Sequence, residues 1–125
     1  MEKFDVIIVG AGLAGLSAAY TLAEAGLEAV VVERGDYPGA KNVTGGRIYI
    51  NPARSYLPGI WEEAPFERHV TTECVTMMAP DTSTTLRFRA EKFDQEPYQS
   101  YTVLRSIFDR WLAEKAEERG AMLVT

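Results

Sequence analysis

The sequence predicts an α/β fold, and three observations in its first 35 residues predict it. A continuous apolar run from Val6 to Val9 is typical of a central parallel strand that is buried on both faces. The glycine pattern G-x-G-x-x-G follows at residues 10–15 and opens a predicted helix, Leu13 to Ala25. A second predicted strand, Ala29 to Glu33, ends in an acidic residue. Strand, glycine turn, helix and strand in this order predict a Rossmann-type, three-layer FAD/NAD(P)-binding fold.

Each glycine of the turn has a predicted physical role. Gly10 lets the chain turn sharply out of the strand, Gly12 lets a pyrophosphate approach the backbone, and Gly15 lets the helix pack closely on the sheet. Free amides and the positive end of the helix dipole then face the phosphates. Glu33 lies about 20 residues beyond the glycines, where a carboxylate can accept hydrogen bonds from a ribose diol. A carboxylate at this position disfavours a 2′-phosphate, so NADP is not the expected ligand.

Composition narrows the class of protein. The chain has 125 residues and a formal net charge of −5, which argues against nucleic acid as a partner. Cys74 is the only cysteine, so disulfide frameworks, cysteine-ligated zinc and an iron–sulfur cluster are excluded within this chain, and no metal site is assigned. No apolar run approaches the length of a membrane span, and no signal-peptide pattern is present. We expect a cytoplasmic, reducing compartment.

The segment from Arg34 to Arg47 is polar and glycine-rich, which predicts a loop. Gly45-Gly46 would allow close backbone approach to a ligand. Arg34 could stack on an adenine ring or lie in solvent. Lys41 and Arg47 could face phosphate or flavin oxygens or be solvated, and the loop could equally be an ordinary mobile connection.

The middle of the chain predicts an antiparallel hairpin. Val70 to Pro80 and Ser83 to Ala90 read as strands around a turn at Asp81-Thr82. Such a hairpin does not belong to a parallel nucleotide-binding sheet, so we interpret it as the start of a second sheet that covers a ligand. Cys74 is expected to be packed, and His69, the only histidine, is assigned no catalytic role.

A second helix is predicted after a short strand, Tyr101 to Leu104. Ser106 is the predicted cap, with Asp109 three residues on as its capping-box partner. Arg105 precedes the predicted helix start, where a cation is unfavourable, so it indicates a nearby anion or is a solvated arginine. The core positions of this helix are Phe108, Trp111 and Leu112, and Gly120 ends it.

The last predicted element, Ala121 to Thr125, reads as a strand entering a sheet, and a nucleotide-binding sheet normally needs more strands than these. We therefore expect an incomplete fragment, the N-terminal part of a longer protein.

Three stretches carry a family resemblance: GAGLAG followed by ERG, then PGAKNVTGGRIY, then YTVLRSIFDRWLAEKAEERGA. Together they resemble the flavin domain of the electron-transfer-flavoprotein:quinone oxidoreductase family, most closely its FixC-like members. The first stretch is shared by many FAD and NAD proteins, whereas the other two are far more specific. The resemblance implies a glutathione-reductase-like flavin domain that binds FAD in an extended conformation. It also implies that residues 1–68 are an FAD-binding Rossmann-type segment, residues 69–100 a β-hairpin insertion from a substrate or quinone domain, and residues 101–125 a return to the FAD-binding domain.

The resemblance also implies roles for individual residues. The glycine turn would hold the pyrophosphate, Glu33 the adenosine ribose, and Arg34 would lie beside the adenine. The stretch from Lys41 to Gly46 would pass close to the ribityl chain and ring, and Arg105 would contact the cofactor from the start of its helix. The implied cofactor-binding residues are Gly10, Ala11, Gly12, Leu13, Ala14, Gly15, Glu33, Arg34, Lys41, Val43, Thr44, Gly45, Gly46 and Arg105.

The function implied by the resemblance is electron transfer from an electron-transfer flavoprotein to a ferredoxin-like protein or a quinone, in the cytoplasm or at the inner face of the membrane. No catalytic residue is assigned, because one-electron transfer needs no acid–base group. Two alternatives stay open. One is a geranylgeranyl-reductase-like or aromatic-hydroxylase-like flavoenzyme acting on a hydrophobic small molecule; the other is a non-catalytic nucleotide-binding fragment.

Overall fold

The computed structural model describes residues 3–125 and contains two α-helices, α1 (Leu13–Glu24) and α2 (Arg105–Glu118), within that range. Neither helix is long and apolar enough to cross a membrane. The strands of the described residues are β1 (Val6–Val9), β2 (Ala29–Val32), β3 (Gly45–Tyr49), β4 (Arg68–His69), β5 (Thr72–Ala79), β6 (Thr82–Arg89), β7 (Ser100–Leu104) and β8 (Met122–Val124).

A parallel sheet with the order β1-β2-β8 forms the nucleotide-binding part of the fold. Val6 pairs with Ala29, and Val30 pairs with Met122, so the last strand lies beside the second although it is about 90 residues away in sequence. This arrangement of parallel strands joined through α1 confirms the predicted α/β, Rossmann-type fold.

The helices α1 and α2 pack against each other and over Val31 of the sheet. The predicted core positions of α2 are confirmed, since Phe108, Trp111 and Leu112 are all buried. On the opposite face of β1, Ile7 is 67% exposed and Val9 is 87% exposed. The prediction that β1 is buried on both faces is therefore wrong for the part of the chain described here, because both helices lie on the same side of the sheet. In the core between the two helices and the sheet, the buried α1 residues are Leu16, Ala19, Tyr20 and Ala23.

A second sheet is antiparallel and has the order β3-β7-β4. Its first strand begins at Gly45, which pairs with Leu104, and Arg47 pairs with Thr102. The prediction that the loop continues to Arg47 is wrong, because the glycines there pair with a strand that lies far along the sequence. A residue pattern that favours a loop locally is overridden by this long-range pairing.

The hairpin of β5 and β6 is confirmed and forms a two-stranded sheet of its own. Ala79 pairs with Thr82, so the turn is Pro80-Asp81 and not the predicted Asp81-Thr82. The expectation that Cys74 is packed is wrong, because its side chain is exposed. Four exposed apolar side chains lie on one face of the hairpin, at every second position of its strands: Val75, Met77, Leu86 and Phe88.

Helix α2 begins at Arg105, so its N-cap lies two residues earlier than predicted. Its N-cap is Leu104, and no side chain caps it. The prediction that Ser106 caps the helix with Asp109 as its partner is therefore wrong. Asp109 is fully buried and binds other groups, which are described with the site below.

Candidate functional site

The candidate site lies where the chain leaves β1 and β2, at the carboxyl ends of two parallel strands. Gly10 has a φ of 100°, which a side chain would strain, and its N–H donates to the carbonyl oxygen of Val32. The next amide, of Ala11, donates to Oε2 of Glu33 at 2.8 Å. The glycine turn and the acidic end of β2 are thus joined directly by hydrogen bonds.

The carboxylate of Glu33 is held on both oxygens. Oε2 accepts from Ala11, and Oε1 accepts from the N–H of Gly35 at 2.7 Å. These two backbone hydrogen bonds, that of Ala11 first, lower the pKa of Glu33 below its ordinary value. Each carboxylate oxygen can accept more than one hydrogen bond, so the fixed and ionised group remains able to accept hydroxyl donors from a ribose.

Gly12 and Gly15 are required for different reasons. A Cβ on Gly15 would stand 2.1 Å from the carbonyl oxygen of Gly10 and 3.2 Å from Ile8, so close packing of helix on strand excludes any side chain there. A Cβ on Gly12 would meet no heavy atom within 4 Å. Packing within the chain therefore does not explain Gly12, and the open space beside it fits the close approach of a diphosphate.

The start of α1 offers backbone donors to an anion. The first N–H groups of an α-helix have no partner within the helix, and they carry the positive end of its dipole. The first turn of α1 contains no acidic side chain that would compete for them. The residues present thus fit the ADP part of FAD, with backbone amides for the phosphates and a carboxylate for the ribose.

A cavity of about 210 Å³ connects these groups with the following loop and with α2. The structure brings six of the sequence-predicted site residues together around it, namely Ala11, Gly12, Glu33, Arg34, Lys41 and Arg105. The loop residues Gly39, Ala40 and Asn42 complete its lining.

The other predicted loop residues lie elsewhere. Gly45 and Gly46 line a separate opening of about 440 Å³ beside β7, together with Arg68 and Thr102 among others. A Cβ on Gly45 would stand 2.8 Å from the carbonyl oxygen of Val103, which explains that glycine by packing. A Cβ on Gly46 would meet no heavy atom within 4 Å, as at Gly12.

The remaining predicted positions differ in their contacts. Val43 is 96% exposed. The carbonyl oxygen of Thr44 accepts the N–H of Arg105 at 3.1 Å, and Nζ of Lys41 donates to the carbonyl oxygen of Arg34 at 3.3 Å. These contacts tie the loop to the start of α2 and to the end of β2.

Another opening of about 440 Å³ lies at the amino ends of the parallel strands, between Phe4, Glu28 and Met122. Ligands of open α/β sheets bind at the carboxyl ends of the strands. Neither the glycine turn nor Glu33 lines this opening. We therefore assign it no role.

The predicted site residues did not include three residues that line the cavity, Gly39, Ala40 and Asn42, nor Asp109, which contacts two of the lining residues from behind. Asp109 accepts two hydrogen bonds from Arg105, at 2.8 Å and 3.0 Å, and one from the side-chain amide of Asn42. The hydrogen bond to Asp109 raises the pKa of the Arg105 guanidinium. The spacing of four residues between Arg105 and Asp109 is a signal for an ion pair on one helix face, whereas no local signal points to Asn42.

Taken together, the fold and the site define a Rossmann-type FAD-binding protein. The model of the FAD dependent oxidoreductase family matches residues 5–75, which is more than half of the chain. The chain belongs to this family, and FAD is the cofactor that the family uses.

Curated relatives confirm the resemblance to the electron-transfer-flavoprotein:quinone oxidoreductase family and its FixC-like members. The chain is 46% identical over 123 residues to the probable electron transfer flavoprotein-quinone oxidoreductase YdiS of Escherichia coli strain K12, with 98% of this chain covered. It is 48% identical over 124 residues to protein FixC of the same strain, with 99% of this chain covered. The chain spans only 29% of the length of each of these relatives.

Solved structures share the fold. A geranylgeranyl bacteriochlorophyll reductase-like protein from Thermoplasma acidophilum matches with a TM-score of 0.68 and 23% identity, over 98% of this chain and 30% of that one. Aklavinone-11 hydroxylase, solved with FAD and aklavinone, matches with a TM-score of 0.68 and 21% identity, over 99% of this chain and 26% of that one. At these identities the likeness shows the fold alone.

Proposed function

We propose that this chain is the FAD-binding N-terminal part of a longer oxidoreductase, which takes electrons from an electron-transfer flavoprotein and passes them to a ferredoxin-like protein or a quinone. FAD, when bound, supplies the group that accepts and releases electrons. The chain's own residues bind and orient that group. The division into residues 1–68, 69–100 and 101–125 belongs to the same proposal.

One observation carries the FAD-binding part of the proposal. The Glu33 carboxylate is fixed by the amides of Ala11 and Gly35 directly beside the amide-rich start of α1. The two features that an adenosine diphosphate needs, a ribose acceptor and a phosphate cradle, thus share one cavity. Because Gly12 leaves open the space that a Cβ would fill, a diphosphate can reach the backbone there.

The family resemblance and the lining of the cavity support a separate role for each group of residues. Residues 10–15 hold the diphosphate, and Glu33 holds the adenosine ribose. Arg34, which is exposed at the end of β2, lies beside the adenine, where a guanidinium can stack on a flat ring. Lys41 and Arg105 add positive charge around the diphosphate. The segment with Val43, Thr44, Gly45 and Gly46 leads toward the flavin end.

The choice of electron partners is supported by the relatives' names and not by the chain's geometry. YdiS is named for electron transfer flavoprotein and quinone, and it is 46% identical to this chain. The reductase-like and hydroxylase structures are 23% and 21% identical, so they support the fold and favour neither alternative reaction. The ferredoxin-like acceptor rests on the resemblance to FixC-like proteins alone.

Flavin binding is tested by reconstituting with FAD a longer protein that contains this chain. After removal of unbound FAD, the protein should show a flavin absorbance spectrum that corresponds to about one FAD per chain. A protein that is folded by circular dichroism and retains no flavin would overturn the proposal.

The electron route is tested on the same flavin-loaded protein. Reduced electron-transfer flavoprotein should bleach the flavin absorbance under anaerobic conditions, and a quinone analogue or a reduced-ferredoxin assay should then show where the electrons leave. If NAD(P)H in the presence of a hydrophobic small molecule bleaches the flavin and the electron-transfer flavoprotein does not, the reductase or hydroxylase alternative replaces this route.

The alternative of a non-catalytic nucleotide-binding fragment has its own test. FAD affinity of the 125-residue chain is measured beside that of the longer protein. Tight binding by both would show that the described residues form a sufficient FAD module. Binding by the longer protein alone would show that residues beyond this chain complete the site.

A further inference from the structure

Asp109 is the most deeply buried charged side chain near the nucleotide cavity. It is 0% exposed, and its position on α2 is one turn after Arg105. A buried carboxylate is costly unless its oxygens are paired. Here Oδ1 accepts from Nε of Arg105, and Oδ2 accepts from Nη2 of Arg105 and from Nδ2 of Asn42.

The two partners of Asp109 come from different parts of the chain, and both line the nucleotide cavity. Arg105 begins α2, whereas Asn42 lies in the loop after β2, 67 residues away from Asp109. Asp109 itself does not line the cavity. A single buried carboxylate therefore fixes one side chain on each of two walls of the cavity.

The backbone at Gly39 is shaped for this contact. A Cβ on Gly39 would stand 2.9 Å from the carbonyl oxygen of Ser106 and 3.1 Å from Cβ of Asp109, and its φ is 86°. A side chain at this position would separate the loop from the first turn of α2. The loop therefore packs directly against α2 at the point where Asn42 donates its hydrogen bond to Asp109.

We propose that Asp109 is a positioning residue for the cofactor, which holds the guanidinium of Arg105 and the amide of Asn42 toward the diphosphate of the bound nucleotide. This inference rests on the proposed function, since it assigns a role within the same nucleotide site. It adds a residue to which neither the sequence motifs nor the family resemblance gives a cofactor role.

The hydrogen-bond geometry leaves Arg105 able to serve a second anion. A guanidinium has five N–H donors in a fixed fork. Asp109 uses one donor of Nε and one of Nη2, which leaves three donors for phosphate oxygens. Without Asp109, Arg105 would gain the freedom of a long side chain at a surface where its exposure is already 29%, and ordering it would cost conformational entropy on binding.

The test is a double-mutant cycle in the longer protein that contains this chain, with FAD and ADP as the probes. Asp109→Asn, Arg105→Ala and the double variant are compared with the wild type by isothermal titration. We expect Asp109→Asn to weaken both ligands by about tenfold, as for the loss of one oriented hydrogen bond to a charged group. In the Arg105→Ala background the same substitution should weaken binding clearly less than in the wild type, because only the contact with Asn42 is then left to lose and residues acting as a unit are not additive.

Control substitutions separate positioning from general stability. Glu118→Gln also removes one carboxylate from an ion pair of α2, with Lys115 at 3.1 Å, at the end of the helix away from the cavity. It should leave the affinity for FAD and ADP unchanged. If Asp109→Asn does not fold, Arg105→Lys decides: it keeps the charge but cannot form the bidentate fork with Asp109, and about tenfold weaker ADP binding is expected.

Three outcomes would overturn the proposal. Unchanged FAD and ADP affinity in folded Asp109→Asn would do so. Equal losses in the wild-type and Arg105→Ala backgrounds would also do so, because Asp109 would then not act through Arg105. If Asp109→Asn does not fold, wild-type ADP affinity in Arg105→Lys would also overturn the proposal. A wild-type protein that binds neither ligand would instead overturn the proposed function together with this inference.

Discussion

The nucleotide end of the sheet, whose strands pair in parallel, and the antiparallel hairpin of β5 and β6 differ in what surrounds them. The strands β1 and β2 are joined to two helices and to an aromatic core in which Phe108 is 1% exposed. In the hairpin, Phe88 is 54% exposed, and Leu86 beside it is 65% exposed. The described residues thus cover the helix-side face of the sheet under the nucleotide site, whereas they leave the apolar face of the hairpin uncovered.

This difference shows what each region needs from the rest of a protein. The nucleotide turn is held by contacts within residues 4–35 and by α2, so its geometry is fixed inside this chain. The hairpin has an amphipathic pattern that is typical of a sheet with one covered face. We infer that the nucleotide end contributes more to the stability of this chain than the hairpin does.

The largest expected effect comes from a matched pair of phenylalanine truncations in the 125-residue chain. Phe108→Ala should lower the free energy of unfolding by about 3–5 kcal/mol, because it leaves a cavity in a packed core. Phe88→Ala should lower it by about 1 kcal/mol or less, since the side chain loses mainly its edge contact with Phe93. Urea denaturation followed by circular dichroism measures both. Equal losses would contradict the contrast between the two regions.

A smaller effect is expected from adding one methyl group to each of two glycines of the turn. Gly15→Ala should cost about 3 kcal/mol, because the new Cβ would stand 2.1 Å from a backbone oxygen that cannot move away freely. Gly12→Ala should leave the stability of the FAD-free chain nearly unchanged, since its Cβ would meet no protein atom within 4 Å. Thermal unfolding of both variants makes the comparison. A destabilised Gly12→Ala would show that packing alone explains both glycines.

The smallest expected effect is a pH dependence that arises at Glu33. Its pKa lies below the ordinary value of 4.5 in the folded chain, because the amides of Ala11 and Gly35 donate to the carboxylate. A lowered folded pKa stabilises the fold above the unfolded pKa, and this contribution is lost as the pH falls through the folded pKa. Below pH 4.5, stability of the wild type should therefore fall more steeply than that of Glu33→Gln.

Urea denaturation of the wild type and Glu33→Gln, from about pH 7 downward, measures this dependence. The two curves should converge once Glu33 is protonated. Parallel curves over the whole range would show that the two backbone hydrogen bonds do not favour the ionised carboxylate.

The parts of the fold that the sequence predicted are those whose signals are local. The order of strand, glycine turn, helix and acidic strand end needs only neighbouring residues, and the structure places Gly10, Ala11 and Glu33 in contact accordingly. The second sheet was missed because Gly45 and Gly46 look like loop residues until they pair with β7, nearly 60 positions later. No periodicity along the chain encodes such a pairing.

The candidate site divides in the same way. Glu33 and the glycine turn could be predicted because a known spacing places them together. Asn42 could not, because its contact with Asp109 depends on how the loop closes onto α2. Asp109 was misread as a helix-capping residue, since its spacing from Ser106 matches a capping box, whereas its carboxylate is used in a buried ion pair with Arg105.

The most direct test of the central claim is the FAD dissociation constant of the longer protein that contains this chain, measured for the wild type, Gly12→Val and Glu33→Ala. The account predicts that both variants stay folded and lose FAD, because one blocks the diphosphate's approach and the other removes the ribose acceptor. Wild-type affinity in both folded variants would contradict the account, since the diphosphate and ribose would then have to bind elsewhere.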